Sequence, residues 1–135
     1  MTSAPSQKFF TACSTGRVEA VEDFLVNGIN PESRDSNHLT GLIWAGRKGQ
    51  IGVAELLLNN GANTETPDIR GRTALFHAVT YQRYEFVKFM AGRGANLNPT
   101  DCHGWSPLDF SQSSCHKKMI ELLVSLGGRS SKNGA

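Results

Sequence analysis

Residues 68–78 read Asp-Ile-Arg-Gly-Arg-Thr-Ala-Leu-Phe-His-Ala, and this stretch decides the fold. Asp68 and Gly71 lie three positions apart, which favours a β-turn because glycine accepts the positive φ that other residues resist. Thr73 stands directly before an apolar segment, where its hydroxyl can accept a backbone N–H from the first turn of a helix. The stretch therefore predicts a turn that leads at once into a helix.

The same pattern recurs along the chain with a fixed step. Gly28, Gly61, Gly94 and Gly127 are each 33 residues apart. A period of 20–50 residues is typical of stacked supersecondary units, which usually act by surface contact. Other positions that keep the step are Asp35, Asp68 and Asp101; Thr40, Thr73 and Ser106; and Leu42, Leu75 and Leu108. We predict a repeat domain over 7–129, with units at about 7–34, 35–67, 68–100 and 101–129, and flexible tails over 1–6 and 130–135.

Each unit contains two short segments with helical spacing of apolar residues. In the second unit, Thr40–Lys48 ends at Gly49, which favours the left-handed turn after a helix. Ala54, Leu57 and Leu58 then fall on one face of a second helix. Helices this short are marginal alone, but stacked pairs can bury a continuous seam. We predict an all-α solenoid of four helix-turn-helix units with β-turn tips, in which the outer two units act as caps.

The pattern resembles the ankyrin repeat over about residues 7–128. That family combines a turn of the form Asp-x-x-Gly-x-Thr-Pro-Leu-His-x-Ala, two antiparallel helices and a Gly-Ala-Asp ending. The residues that carry the resemblance are Asp68, Gly71, Thr73, Leu75 and Ala78; Asp101, Gly104, Ser106, Pro107 and Leu108; and the endings Gly61-Ala62-Asn63 and Gly94-Ala95-Asn96. The resemblance implies a non-catalytic protein-binding module, an adaptor or inhibitor, with a structural or self-associating scaffold as the alternative.

The chain departs from the family pattern at two kinds of turn. Gln82 and Cys115 stand where the family has a glycine between its two helices, and His38 replaces the turn glycine of the second unit. We expect Gln82 and Cys115 to take a positive φ at some energetic cost, or the turn to be remodelled. The family histidine is replaced by Ile43, Phe76 and Asp109, so a side chain that often braces the turns is missing.

Composition narrows the classes of partner. The 135 residues carry a net charge of +2 and are 39% hydrophobic, which supports a core but does not favour nucleic acid or an acidic membrane. No apolar run approaches the ~20 residues of a membrane span.

Three cysteines, an odd number, favour reduced thiols in a cytoplasmic protein, with the nucleus as the alternative compartment. We expect no cofactor, and a monomer.

Catalytic and metal chemistry have little support in the sequence. None of the four histidines forms a His-x-x-x-His pair, and no nucleophile-elbow or P-loop pattern is present. The alternative is a zinc site formed by Cys102-His103 and Cys115-His116. The repeat register places these pairs at opposite ends of a helix, ~13 Å apart by helical rise, which is too far for shared ligation.

Trp44, His77 and Phe110 occupy one repeat position on the first helices. An aromatic binding box is one interpretation of this set. Their spacing by whole repeats favours stacking between units, so we predict that they belong to the core.

In ankyrin folds the partner contacts come mainly from the turn tips and the C-terminal ends of the first helices. The resemblance therefore implies a partner-binding surface on the concave face, and arginine, tyrosine and tryptophan are enriched at the energetic centres of interfaces. A solvated basic rim without selectivity is the alternative. We predict that the surface binds an acidic or extended protein segment through Arg47, Lys48, Ile69, Arg70, Arg72, Tyr81, His103 and Trp105.

Asn98 lies in Gly94-Ala95-Asn96-Leu97-Asn98, at the position where some ankyrin proteins are hydroxylated on asparagine. The resemblance therefore implies a possible hydroxylation site. The alternative is ordinary hydrogen bonding of an asparagine within a turn.

Overall fold

The computed structural model describes residues 3–131, with side chains from residue 7 onward. Eight α-helices in this part of the chain form four pairs, and the two helices of each pair are joined by short turns. The helices are α1 (Ser3–Thr15), α2 (Val18–Val26), α3 (Gly41–Lys48), α4 (Ile51–Asn59), α5 (Ala74–Thr80), α6 (Tyr84–Gly92), α7 (Pro107–Ser113) and α8 (Lys117–Leu126). The all-α prediction is confirmed, and the described residues contain no strand beyond one isolated bridge.

The helices stack in two layers. In one layer α1, α3, α5 and α7 pack in order, and in the other α2, α4, α6 and α8 do the same. Leu42, Leu75 and Leu108, which recur with the repeat, are buried in a shared apolar core, and so is Phe9 one step earlier. The positions that repeat are therefore the positions that build the stack.

Three helices begin at the predicted caps. Thr40, Thr73 and Ser106 each accept a hydrogen bond on the side-chain hydroxyl from a backbone N–H three residues later, at 3.1, 3.3 and 3.2 Å. Such a cap satisfies one of the N–H groups that a helix start leaves without a partner. At Ser106 the carboxylate of Asp109 also accepts the backbone N–H of the cap residue, which completes a capping box.

The turns between paired helices need a left-handed residue in every repeat. Gly16 and Gly49 have φ of 78° and 75°, and Gln82 and Cys115 adopt φ of 59° and 58° at the equivalent positions. The expectation that these two residues take positive φ is confirmed. A side chain in this region costs about 1 kcal/mol or more, which the surrounding stack must offset.

A second row of contacts joins the repeats through positions 32, 65 and 98. Glu32 and Glu65 accept the backbone N–H of Asn63 and Asn96, each 31 residues later, at 2.5 and 2.9 Å. Asn98 continues the row by accepting the N–H of Arg129 at 2.6 Å. The loops that follow the second helices are thereby tied to one another along the stack.

The segment after α8 folds back onto the fourth repeat, and we call residues 128–131 the C-terminal strap. Ser130 donates from its hydroxyl to the carboxylate of Asp109, and Ser131 donates to it from both its backbone N–H, at 3.1 Å, and its hydroxyl. Burial raises the pKa of Asp109, but the bonds from Ser106 and the strap outweigh it and hold the pKa well below its usual range. The strap therefore binds an ionised carboxylate.

The strap and α1 both extend beyond the predicted domain limits of 7 and 129. Ser130 and Ser131 belong to the folded fourth repeat rather than to a tail, because each bonds to Asp109. Helix α1 begins at Ser3, inside the segment 1–6 that the sequence analysis assigned to a tail. The rest of both predicted tails, residues 1–2 and 132–135, lies outside the described residues.

Candidate protein-binding surface

A cavity opens beside the turn tips of the second and third repeats, and we call it the tip cavity. Its volume is about 230 Å³. It brings together five of the eight predicted contact residues, namely Arg47, Ile69, Arg70, Arg72 and Tyr81. The other lining residues are Leu39, Asp68, His77 and Thr80.

Arg47 is held at the end of α3 between two aromatic rings. Its guanidinium carbon lies 4.7 Å from the ring centre of Trp44 and 5.1 Å from that of Tyr81. Its Nη2 donates to the hydroxyl of Tyr81 at 2.9 Å. Its Nε is buried and has no hydrogen-bond partner among the described residues. Stacking on aromatic faces attracts a cation without neutralising it, so Arg47 keeps a fixed and uncompensated charge.

Asp68 and His77 form the floor of the tip cavity. His77 Nε2 lies 2.7 Å from Asp68 Oδ2, and both side chains are largely buried. Burial lowers the pKa of His77, the carboxylate of Asp68 opposes this, and the charges of Arg47 and Arg72 add to the lowering. His77 is therefore neutral at pH 7 and donates from Nε2 to the carboxylate.

The carboxylate of Asp68 is itself saturated by the turn that carries it. Its Oδ1 accepts the backbone N–H groups of Arg70 and Arg72 at 2.8 and 2.9 Å. Burial raises its pKa, but these two bonds and the contact with His77 outweigh that effect, so the pKa lies below its ordinary value. Asp68 therefore holds the tip in shape and has little remaining capacity to pair with the cations of the cavity.

Arg72 is bound within the stack, unlike its neighbour Arg70. Arg72 donates from Nε to Asp101 Oδ2 at 3.1 Å, and its Nη2 lies 3.0 Å from the same oxygen in an ion pair. Its guanidinium also lies over the rings of Phe76 and Phe110, 4.7 and 5.8 Å from their centres. The ion pair fastens the tip of the third repeat to that of the fourth, which makes Arg72 a structural residue of this surface.

Two large apolar side chains and one cation are exposed at the tip cavity. Ile69 is 74% exposed and Tyr81 is 44% exposed. Arg70 is also exposed and makes no ion pair among the described residues. Tyrosine and arginine are enriched at the energetic centres of protein interfaces, and the exposed isoleucine adds apolar area beside them.

The remaining three predicted contact residues lie away from the tip cavity. Lys48 lines a larger cavity of about 590 Å³ between α6 and α8, together with Arg83 and Lys118. His103 and Trp105 lie on the tip of the fourth repeat, where their backbone N–H groups donate to Asp101 Oδ1 at 2.9 and 3.0 Å. The structure therefore divides the predicted surface into the tip cavity and these separate positions.

Asn98 is held in the row of contacts that joins the repeats. Its Oδ1 accepts the N–H of Arg129, and its Nδ2 donates to the carbonyl of Gly127 at 3.3 Å. Its own backbone N–H donates to the side chain of Asn96 at 2.9 Å. These contacts show what the side chain does in the fold, and hydroxylation of Asn98 stays a prediction.

Trp44 and His77 brace the turn tips, a role that the sequence analysis missed. Trp44 donates from Nε1 to Asp35 Oδ2 at 2.7 Å, as His77 does to Asp68. Trp44 and Phe110 are half-buried and His77 is largely buried, and Trp44 packs against the core from its edge, so none of the three lies in the fully buried core and that prediction is corrected. The available signal was the offset of nine residues from the turn aspartate to this position in each repeat.

Other chemistry is sparse in the part of the chain that the structure describes. No group of three or more histidine, cysteine, aspartate or glutamate side chains there could hold a metal ion. The thiols of Cys13, Cys102 and Cys115 are free, and burial raises the pKa of Cys13 to about 12.

Within residues 3–131, no helix has the length and apolar character needed to cross a membrane.

Comparison with known proteins agrees with this geometry. A family model described as ankyrin repeats in three copies matches residues 9–101 and 65–133, which together span most of the chain. No curated protein gives a significant match. Ankyrin repeats are generally protein–protein interaction modules and are typically non-enzymatic. With its 33-residue period, its capped helix pairs and this match, the chain belongs to the ankyrin repeat family.

Proposed function

We propose that this protein is a non-catalytic adaptor or inhibitor that binds a segment of another protein on its concave face. The observation that carries the proposal is the tip cavity, where Ile69 and Tyr81 are exposed beside Arg47 and Arg70. Neither arginine has a carboxylate partner among the described residues. The mechanism is occupancy of the partner by a surface already in its binding shape, which lowers the ordering cost of association.

The chemistry of the cavity favours an acidic, extended segment. Arg47 and Arg70 supply positive charge, and Leu39 and Ile69 supply apolar area for an intervening side chain. An extended chain presents successive side chains to separate contacts, which suits a small cavity beside an exposed tip. We also propose that the protein acts in the cytoplasm as a monomer.

Charge reversal at the tip tests the proposal. Affinity capture with mass spectrometry identifies partners, and calorimetry measures the affinity of the purified pair. Arg70→Glu is expected to weaken binding by at least tenfold, because close charge pairs at interfaces couple by ~1.5 kcal/mol or more. Arg17→Glu, at the exposed start of α2, is the matched control and leaves the affinity unchanged. Equal affinities for the Arg70 variant and the native protein would remove the tip cavity from the interface.

Self-association is the second candidate, because apolar side chains are exposed on both end repeats. Val26 on α2 is 78% exposed and Val124 on α8 is 58% exposed. Sedimentation equilibrium distinguishes the two functions. A molecular mass that rises with concentration, and that Val124→Asp returns to the monomer value, favours a scaffold over an adaptor.

A further inference from the structure

Arg47 differs from Arg72, the other arginine of the described residues that lies over two aromatic rings, because no carboxylate pairs with it. It lies against two aromatic rings, Trp44 and Tyr81. Arginine carries five N–H donors, and the only hydrogen bond that its guanidinium makes among the described residues is to the Tyr81 hydroxyl. A buried donor without a partner, such as its Nε, is uncommon in native proteins and calls for an explanation.

No carboxylate of the described residues around the tip cavity forms an ion pair with Arg47. The carboxylate of Asp68 already accepts hydrogen bonds from two backbone N–H groups and from His77. Asp101 is paired with Arg72. The next unpaired side chain of the tip cavity is another cation, Arg70. The cavity therefore concentrates positive charge that the fold itself does not neutralise.

We propose that Arg47 is the anchor of the tip cavity and receives the side-chain carboxylate of a glutamate or aspartate in the bound segment. This inference rests on the proposed function and names the chemistry that its partner presents. A guanidinium fixed by ring stacking is pre-organised for a planar carboxylate, so little side-chain entropy is lost on binding. The partner residue beside that carboxylate is apolar and packs on Leu39 and Ile69, the apolar residues of the lining.

The size of the cavity supports this choice of ligand. The volume of about 230 Å³ is smaller than the about 300 Å³ at which sites for drug-sized ligands begin, which favours a side chain over a small molecule as the ligand. Arg70 lies on the exposed tip, where it adds attraction for a second acidic residue. The recognised element is thus an acidic residue next to an apolar one.

Spectroscopy of the arginine side chains tests the assignment directly. The probe is an acetylated, amidated peptide that repeats glutamate followed by leucine, and its glutamine counterpart is the neutral control. The Nε–H signal of Arg47 in a nitrogen–proton correlation spectrum is expected to shift and saturate with the glutamate peptide. The glutamine peptide binds at least ~10-fold more weakly, because charge-assisted hydrogen bonds are about twice as strong as neutral ones.

Matched variants distinguish specific binding by Arg47 from general attraction of the peptide to positive charge. Arg47→Lys keeps the charge, loses the planar fork and is expected to weaken the glutamate peptide by ~10-fold. Arg93→Lys is the control, since Arg93 also stacks on a ring, that of Phe89, and bonds to Asn59. Thermal unfolding of both variants confirms that they are folded before affinities are compared.

Each outcome decides one level of the argument. If the backbone amides of Ile69 and Arg70 shift while the Arg47 signal does not, the anchor is wrong and the proposed function stands. If no residue of the tip cavity responds to the glutamate peptide, both are overturned. If inorganic phosphate moves the Arg47 signal as strongly as the glutamate peptide does, carboxylate recognition is overturned.

Discussion

Replacing Asp109 by asparagine is expected to destabilise the fourth repeat by about 2 kcal/mol. The carboxylate accepts the N–H of the cap residue Ser106 at 2.8 Å and three donors from Ser130 and Ser131. Loss of the cap contact costs ~1 kcal/mol. The strap bonds add ~1 kcal/mol net, because a released strap regains chain entropy. For a domain of this size ~2 kcal/mol corresponds to a fall in Tm of about 7 °C.

The stabilising contribution of the Asp109 carboxylate is expected to fall as the pH is lowered. Because the folded pKa of Asp109 lies below its unfolded value of ~3.9, its contribution is complete above about pH 4 and is lost as the pH falls toward the folded pKa. Asparagine has no such titration. The difference in unfolding free energy between the native protein and Asp109→Asn is therefore largest at pH 7 and shrinks below pH 4.

The assay is urea unfolding followed by circular dichroism, at pH 7 and at pH values below 4. Asp23→Asn, an exposed acid on α2, is the control and changes stability by less than ~0.5 kcal/mol. A double-mutant cycle with Ser130→Ala and Ser131→Ala isolates the strap, whose serines should cost less once Asp109 is gone, while the bond from Ser131 to the carbonyl of Gly104 remains. Full additivity in that cycle, or an Asp109→Asn variant as stable as the native protein, would refute the account of the strap.

Three further substitutions test the stack and its turns by the same unfolding assay. Gly46→Ala is expected to cost ~1–3 kcal/mol, because a Cβ there would lie 2.7 Å from the carbonyl oxygen of Ala74. Gly92→Ala, in a helix with open space around it, should instead gain about 0.5 kcal/mol from helix propensity, and an equal loss at both sites would show that the contact with Ala74 is not the cause. Gln82→Gly should gain ~0.5–1 kcal/mol by relieving its positive φ of 59°, and a loss there would show that the glutamine side chain supports the turn.

The repeating part of this fold could be predicted from the sequence because four copies of one pattern resolve the choice between helix and strand that a single short segment leaves open. Any one segment such as 74–80 is too short for its apolar spacing to separate helix from strand. When the segment is aligned with the equivalent segments of the other three repeats, the shared pattern and the cap Thr73 predict a helix. The capping hydroxyls and the positive φ of Gln82 and Cys115 followed from the same register.

The geometry of the candidate surface was harder to predict, because it depends on contacts between side chains in different repeats. A list of tip residues contains Arg70 and Arg72 on equal terms. Only the three-dimensional arrangement shows that Arg72 reaches Asp101, 29 positions later, and that Arg47 reaches Tyr81, 34 positions later. Neither separation equals the period of 33, so comparison of equivalent positions could not reveal these contacts.

Arg72 forms an ion pair while Arg70 makes none in the described part of the chain, and the difference follows from one substitution between the repeats. In each turn aspartate, Oδ1 accepts backbone N–H groups of the turn and Oδ2 can accept a bond from a side chain. In the second and third repeats the donor is the residue nine positions later, Trp44 or His77. In the fourth repeat that residue is Phe110, which has no donor, and Arg72 of the preceding repeat bonds to Asp101 instead. Because Trp44 and His77 already serve Asp35 and Asp68, those turns need no arginine. Arg47 and Arg70 at the tip cavity make no ion pair among the described residues, and the proposed function assigns them to a partner.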